Sequence, residues 1–305
     1  MKFDVITFGS AVKDVFVATD LADRGKFIAY PIGAKILIKE LRYDIGGGGT
    51  NTAVAFSRLG LKTGFIGKFG DDGTGYEILD MLKRENVKFL GRMEKRQLTG
   101  FSIVLDSEEN DRTILTYKGI NDTIGMKDIK LRKLKTKWLY CSSLLGQSLE
   151  TQINLARIMK KRGVKIAFNP SSYLTERKEL IEHLLMVSDI LVLNKEESQM
   201  LTNKRDLLKG LHDLTGGIVV ITDRDKKIQA FDGNKKYFLM PNKIKVRERT
   251  GAGDAFASGF VAGQIVGMNM EDSLKLGLRE SESVVKYFGA KNNLLKMNLR
   301  EVWKG

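Results

Sequence analysis

The sequence predicts an α/β fold: one mostly parallel sheet covered by helices on both faces, with a small β-sheet standing off it. Three observations carry that prediction. From about residue 138 onward, short apolar runs of strand length alternate with longer amphipathic stretches, the rhythm of strand–helix–strand units in a parallel sheet. The first run, Phe3–Phe8, is apolar almost throughout and ends at Gly9, as expected of a strand buried on both faces. Two later stretches, Val15-Phe16-Val17 and residues 35–43 with Ile36, Ile38 and Leu41, alternate apolar with polar residues instead. Alternation marks strands with one wet face, which belong to a smaller sheet.

Taken in order, the chain passes from these strands, through a mixed polar stretch at 20–30, to Gly46-Gly47-Gly48-Gly49-Thr50-Asn51. The glycine run leads into a short helix over 52–60, with Gly60 as its stop; the bland reading of such a run is a flexible hinge. It is not a dinucleotide fingerprint, because the third glycine of G-x-G-x-x-G falls on Asn51 or Thr52, and no G-x-x-x-x-G-K-[ST] occurs anywhere. A strand over 63–69, the turn Gly70-Asp71-Asp72-Gly73 and a helix over 75–84 follow. Two strands, 99–106 and 112–117, flank the polar turn Glu108-Glu109-Asn110-Asp111. The regular part then reads strand 138–141, helix 149–161, strand 164–169, helix 178–186 and strand 190–193. A helix pair, strand 218–222 and a hairpin through Asp232-Gly233-Asn234 come next, and helices over 255–266 and 271–288 close the fold. No linker or repeat divides residues 1–305, so a single domain is expected, with lid-like excursions at about 12–44 and 98–119.

Composition excludes several classes. No apolar run is long enough to span a bilayer, and Met1-Lys2-Phe3 enters a strand with no signal-peptide pattern. Cys141 is the only cysteine, which fits a reducing cytoplasm. With only His183 and His212, neither a histidine metal site nor a histidine triad is expected. The formal charge of +14 favours acidic ligands. The basic residues are nevertheless spread through amphipathic stretches such as 131–135 and 159–162, which reads as a solvated surface. Neither a nucleic acid nor a membrane is expected as a partner.

The stretch with most chemistry is Arg249-Thr250-Gly251-Ala252-Gly253-Asp254-Ala255-Phe256. A turn almost bare of side chains, opening an apolar helix, presents backbone N–H groups at the positive end of a helix dipole, where anions bind. Asp254 in that turn is either a helix cap or a base. In an open parallel sheet ligands bind beyond the carboxyl ends of the strands. Asn169, Asn194 with Glu197, and Thr222-Asp223 fall at such ends, so a shared cleft is expected there.

Together these motifs resemble the ribokinase-like (PfkB) family of sugar and nucleoside kinases. Residues 46–53 are similar to its first glycine motif, and Thr250-Gly251-Ala252-Gly253-Asp254-Ala255-Phe256 to its second, D-T-x-G-A-G-D-x-F. Asn194-Lys195-Glu196-Glu197 matches N-x-x-E, and Thr99-Gly100 with Asp111-Arg112-Thr113-Ile114 resembles its lid strands; the likeness runs from Gly9 to Gly289-Ala290. The resemblance implies transfer of a phosphoryl group from ATP to a hydroxyl of a small sugar, ribose- or fructose-like, or alternatively of a nucleoside such as adenosine. Asp254 would be the base and the N–H groups of Gly251, Ala252 and Gly253 the anion hole. Asp14, Gly47, Gly48 and Asn51 match the sugar-contacting positions. Asn194, Thr222, Arg224, Lys227 and Thr250 fall at the nucleotide, with Asn194 and Glu197 holding Mg2+ through waters. The bland readings are a strand-start carboxylate for Asp14 and a helix cap with an acidic first turn for Asn194 and Glu197. The family also implies a monovalent cation such as K+ near the loops before Asp254 and at Gly289-Ala290, and a homodimer formed through the lid.

The sequence departs from the pattern in three places. Arg224 and Lys227 stand where a T-x-G-x-x-G loop has glycines, Glu248-Arg249 replaces the usual D-T, and Phe168-Asn169-Pro170 stands where relatives often carry an aspartate. The altered 222–227 loop supports a competing expectation, a catalytically weak regulatory protein that binds sugar or nucleotide on the same scaffold.

Overall fold

The computed structural model describes residues 2–19, 23–24, 27–106 and 112–303. Met1, part of the stretch at 20–30 and the polar turn at 108–111 lie outside the described residues.

Nine strands form the main sheet, in the spatial order Lys236–Leu239, Ile228–Phe231, Ile218–Thr222, Ile190–Asn194, Lys165–Asn169, Thr136–Ser142, Phe3–Phe8, Thr63–Ile66, Lys88–Phe89. All pairings are parallel except the hairpin at one edge, where Ile228–Phe231 runs antiparallel to both of its neighbours. The near-continuous apolar runs are explained by burial on both faces. Leu139, Cys141, Ile166, Phe168, Leu191, Leu193, Val219 and Ile221 pack against one helical layer, in which Leu155, Met159, Ile181, Leu184 and Leu211 are buried. Their alternate neighbours Trp138, Tyr140, Ala167, Ile190, Val192 and Val220 face the other layer, with Phe256, Phe260, Val261 and Leu274. Period-two side chains sandwiched between two helix layers are what a parallel sheet requires.

A separate four-stranded sheet has the order Arg112–Tyr117, Gly100–Asp106, Val12–Thr19, Ile38–Gly46. Its central pair is parallel and its outer pairs antiparallel. One face carries buried Asp14, Phe16, Ser102 and Val104. The rows Tyr43–Val15–Ile103–Leu115 and Phe101–Tyr117 lie on the other face, where Tyr43, Phe101, Leu115 and Tyr117 are exposed. The alternation read in the sequence thus belongs to a sheet with one face toward the cleft and one toward solvent.

Several boundaries differ from the sequence expectation, each for a local reason. The helix after the glycine run spans Gly48–Arg58, taking in two of the glycines. Thr50 and Thr52 return their hydroxyls to the carbonyls of Gly46 and Gly48 at 2.6 and 2.7 Å, so the run is pinned and is no hinge. The helix expected over 271–288 is Met270–Val284. Phe288 instead sets its ring edge-on against Phe16 of the small sheet, 4.5 Å between centroids, and Gly289 turns the chain at φ 90. The strand expected over 63–69 breaks at Gly67: Thr63–Ile66 stays in the main sheet, while Lys68–Gly70 pairs with Arg92–Glu94.

Candidate active site

A cleft of about 340 Å³ opens beyond the carboxyl ends of the central strands. Its wall includes Gly48, Ser142, Ser143, Asn169, Ser171, Tyr173, Asn194, Glu197, Thr222, Gly251, Gly253 and Asp254. The strand-end residues are there because each strand of a parallel sheet ends on the same side. Asp254 is delivered by the helix Ala252–Val266, whose cap is Gly251 at φ 78 and ψ 0. A side chain at Gly251 would bring its Cβ within 2.5 Å of the Ala290 Cβ, so only glycine fits this left-handed turn.

Gly253 is a different case. Its backbone is not left-handed, and an added Cβ would meet nothing within 4 Å. Neither conformation nor packing asks for glycine; the bare position leaves open space above the turn. Among the described residues the backbone N–H groups of Gly251, Gly253 and Asp254 have no hydrogen-bond acceptor, whereas that of Ala252 donates to the Arg249 carbonyl at 3.2 Å. Of the three N–H groups expected to form an anion hole, that of Ala252 closes the turn, while those of Gly251 and Gly253, with that of Asp254, are left without an acceptor among the described residues. Buried Ser142 Oγ, packed beside Gly9 and Gly48, has no hydrogen-bond partner among the described residues. Free N–H groups beside a bare glycine at a helix N-terminus suit an anion with several acceptor oxygens.

Asp254 makes no side-chain cap on its own helix. Its Oδ2 accepts from Asn51 Nδ2 at 2.9 Å, across 203 residues of sequence. Burial raises its carboxyl above the usual carboxylate range, opposed by the Asn51 bond and the charge of Lys291. Asn51 is buried in the first turn of Gly48–Arg58 and its Oδ1 accepts from Lys291 Nζ at 2.8 Å. Asp14 lies under the small sheet, hydrogen-bonded to Ser102 and pushed up by burial to about 6. Gly46 must be bare beside it, since a Cβ there would stand 1.8 Å from Asp14 Oδ2. Gly47, at φ 98, would drive a Cβ to 2.5 Å from the Ser10 carbonyl. The Lys291 ammonium thus bonds Asn51 and acts through its charge on Asp14 and Asp254.

Asn194 and Glu197 form a reciprocal helix cap. Asn194 Oδ1 accepts from the Glu197 N–H at 2.8 Å, and Glu197 Oε2 accepts from the Asn194 N–H at 2.9 Å. The bland reading holds for them, yet both also line the cleft. Burial pushes Glu197 up to about 7, with Glu196 and Asp254 adding repulsion. A carboxylate buried without a cation suits a divalent ion. Among the described residues no group of three or more His, Cys, Asp or Glu could enclose a metal. That donor set fits a hard cation that keeps most of its waters and leans on phosphate oxygens, as Mg2+ does.

Thr250, Arg224 and Lys227 stand apart from the cleft wall. Thr250 gives its hydroxyl and its N–H to Glu248 Oε1, at 2.8 and 2.9 Å, so it secures the lead-in loop. Arg224 points away, 3.9 Å from Glu196 Oε1, and Lys227 lies over the Phe238 ring. Arg224 does hold φ 49, the left-handed conformation that favours glycine. Lys227, at the other replaced position, has no positive φ. Thr222 stays in the wall, and its hydroxyl reaches the Leu193 carbonyl at 3.4 Å. Asn169 bridges Tyr140 and Val192 across the sheet, a structural use of the amide.

Sequence reasoning missed Lys291, Ser142 and Asp44, whose carboxylate acts with those of Asp14 and Asp254 on the Lys291 ammonium. Lys291 is one cation among 51 Lys and Arg, and nothing local marks it as buried.

The family model described as pfkB family carbohydrate kinase matches residues 4–297. A 5-dehydro-2-deoxygluconokinase of Clostridium perfringens is 28% identical, with 93% of this chain and 87% of that protein covered. A ribokinase of Bacillus subtilis is 26% identical, with 97% of each chain covered. Among solved structures, an adenosine kinase from Sinorhizobium meliloti superposes with a TM-score of 0.83 at 22% identity, covering 95% of this chain and 96% of that one. Phosphoryl transfer to an alcohol is the reaction for which this scaffold stands, and with the family model matched almost end to end the chain belongs to the pfkB family of carbohydrate kinases.

Proposed function

We propose that the protein transfers the γ-phosphoryl group of ATP to a hydroxyl of a small neutral sugar, with Asp254 as the base. The carrying observation is the pairing of an Asp254 carboxylate held by Asn51 with free N–H groups over the bare Gly253. Asp254 takes the hydroxyl proton as the sugar oxygen bonds to phosphorus and the bond to the ADP oxygen breaks. The N–H groups of Gly251, Gly253 and Asp254 stabilise the charge on the moving phosphoryl, an effect worth several kcal/mol in a site of this kind. Asn194 and Glu197 would hold Mg2+ through waters, and the ion would supply charge neutralisation at the nucleotide phosphates. Thr222 lies on the same wall, toward the nucleotide.

Asp14 and Asn51 are suited to reading adjacent hydroxyls, since one is acceptor-only and the other offers both donor and acceptor. The Asp14, Asp44 and Asp254 carboxylates act on the buried ammonium of Lys291, a balance that repels anionic acceptors. The relatives' names span sugar, sugar-acid and nucleoside substrates; the charge balance favours the neutral sugar. Residues 1–305 act as one unit in this reading, because the cleft draws on elements from both ends of the chain. The exposed apolar face of the small sheet docks on a second copy, burying Tyr43, Phe101, Leu115 and Tyr117. One reduced, buried cysteine and a need for ATP both suit the cytoplasm. Among the described residues no helix is long and apolar enough to cross a membrane.

The test is ADP release with ribose, fructose, a sugar phosphate, adenosine and cytidine. Turnover is expected with a neutral sugar and expected to fall on the order of 10³-fold in Asp254→Asn, the scale of a lost general base. Near wild-type turnover in that variant refutes the assignment of the base.

A further inference from the structure

Lys291 sits at the junction of the two glycine motifs, although it belongs to neither. The chain turns at Gly289, φ 90, and the Lys291 carbonyl then accepts from Arg58 Nη1 at 2.8 Å. Arg58 is itself fixed by Glu85, with 2.6 Å between Nη2 and Oε1. The backbone behind the lysine is therefore anchored to the helix that starts at the first glycine motif. The side chain runs inward and is only 5% exposed. Burying an ammonium is costly unless it is paired and hydrogen-bonded. Here Nζ donates to Asn51 Oδ1 at 2.8 Å, and Asp44, Asp14 and Asp254 act on it as opposite charges, with Arg58 as the like charge.

Asn51 is the link. Its Oδ1 faces an ammonium that can only donate, and its Nδ2 faces the Asp254 carboxylate, which accepts. A flipped amide would set donor against donor on one side and acceptor against acceptor on the other. Lys291 therefore permits a single orientation of the Asn51 amide, the one that holds Asp254 Oδ2. That leaves Oδ1 directed toward Gly48, where a Cβ would lie 3.6 Å from it. Polarisation along ammonium, amide and carboxylate strengthens both bonds.

We propose that Lys291 is a positioning residue for phosphoryl transfer: acting through Asn51, it orients the Asp254 carboxylate toward the acceptor hydroxyl and balances its charge. This rests on the reading of Asp254 as the base. The step draws no proton from Lys291: the proton passes from the acceptor hydroxyl to Asp254.

The test compares Lys291→Met, Lys291→Ala, Lys291→Arg and Asp254→Asn in the full chain, using ADP release with the preferred sugar from pH 5 to 9. In Lys291→Met kcat is expected to fall on the order of 10²-fold, the scale of a small misplacement of a reacting group. KM for the sugar should change far less. The acid limb of kcat/KM moves to higher pH, because Lys291 lowers the Asp254 carboxyl and its loss lets that carboxyl rise. In Lys291→Ala, methylammonium added in millimolar amounts should restore part of kcat, and Lys291→Arg should keep the wild-type acid limb. A merely structural lysine predicts neither result. Lys291→Met that folds, keeps kcat within threefold and leaves the acid limb in place overturns the proposal. If Lys291→Met does not fold, Lys291→Gln carries the same two readouts with the same consequence. Retained turnover in Asp254→Asn would instead sink the base assignment, so the two failures are separable.

Discussion

Gly253 offers a test in which stability and activity move in opposite directions. An alanine there would meet nothing within 4 Å and would keep an ordinary helical backbone. Alanine is favoured over glycine inside a helix by about 0.5–1 kcal/mol, so Gly253→Ala should unfold at the same temperature or ~1–3 °C higher. The added methyl would take up part of the open space at Gly253, whose N–H, like that of Asp254, has no acceptor among the described residues. Losing one such donor costs about 10²–10³ in kcat, or ~3–4 kcal/mol. Gly251→Ala is the contrasting control. Its φ of 78 and the 2.5 Å approach to Ala290 predict lost stability together with lost activity. The assay is steady-state ADP release paired with thermal unfolding on the same preparations. If Gly253→Ala is as stable as expected and keeps kcat within threefold of wild type, the space above the turn is not where the phosphoryl group passes.

Two further predictions follow from the carboxylate under the small sheet and from that sheet's outer face. Burial raises Asp14 to about 6 from a usual 3.8, so the folded state holds its proton more tightly than the unfolded one. A raised acid of this kind costs stability once it is ionised: the cost is absent below about 3.8, grows between the two values and is complete above about 6. Asp14→Asn should therefore gain Tm relative to wild type at pH 8 and gain less or nothing at pH 5, with the sugar KM raised at both; a gain confined to pH 5 contradicts the burial argument. Leu115→Glu places a charge in the exposed row Tyr43–Val15–Ile103–Leu115. It should convert a dimer to a monomer in sedimentation with Tm nearly unchanged; a wild-type protein that is monomeric at tens of micromolar ends the dimer proposal.

The parallel sheet was legible because its signal is a property of single segments. Runs such as Ile190–Asn194 and Ile218–Thr222 are apolar on both sides of the pleat, and no local alternative hides them. The small sheet was legible from alternation for the same reason. Helix ends were less so, since they depend on partners distant in sequence. The periodicity after Val284 continues to Phe288, but the ring of Phe16 takes Phe288 out of the helix. The glycine motifs could be read because a left-handed φ at Gly47 and Gly251 leaves little choice of residue. Their meaning divides on closer view: Gly251 is glycine for the backbone, whereas Gly253 is glycine for open space.

What the sequence withheld is the charge network, and the reason is physical. Whether a lysine is solvated or buried is decided by which carboxylates the fold brings to it, and Asp14, Asp44, Asp254 and Lys291 are scattered over nearly the whole chain. A local pattern cannot encode such an encounter. The same reasoning bears on the altered loop at 222–227. Replacing glycine by Arg224 looked like damage to a nucleotide site, yet the residue holds φ 49 and aims its charge outward at Glu196. A non-glycine residue in that conformation costs on the order of 1 kcal/mol. The backbone path at that position is maintained against that cost, which is what is expected if the backbone of the loop, and not its side chains, meets the ligand.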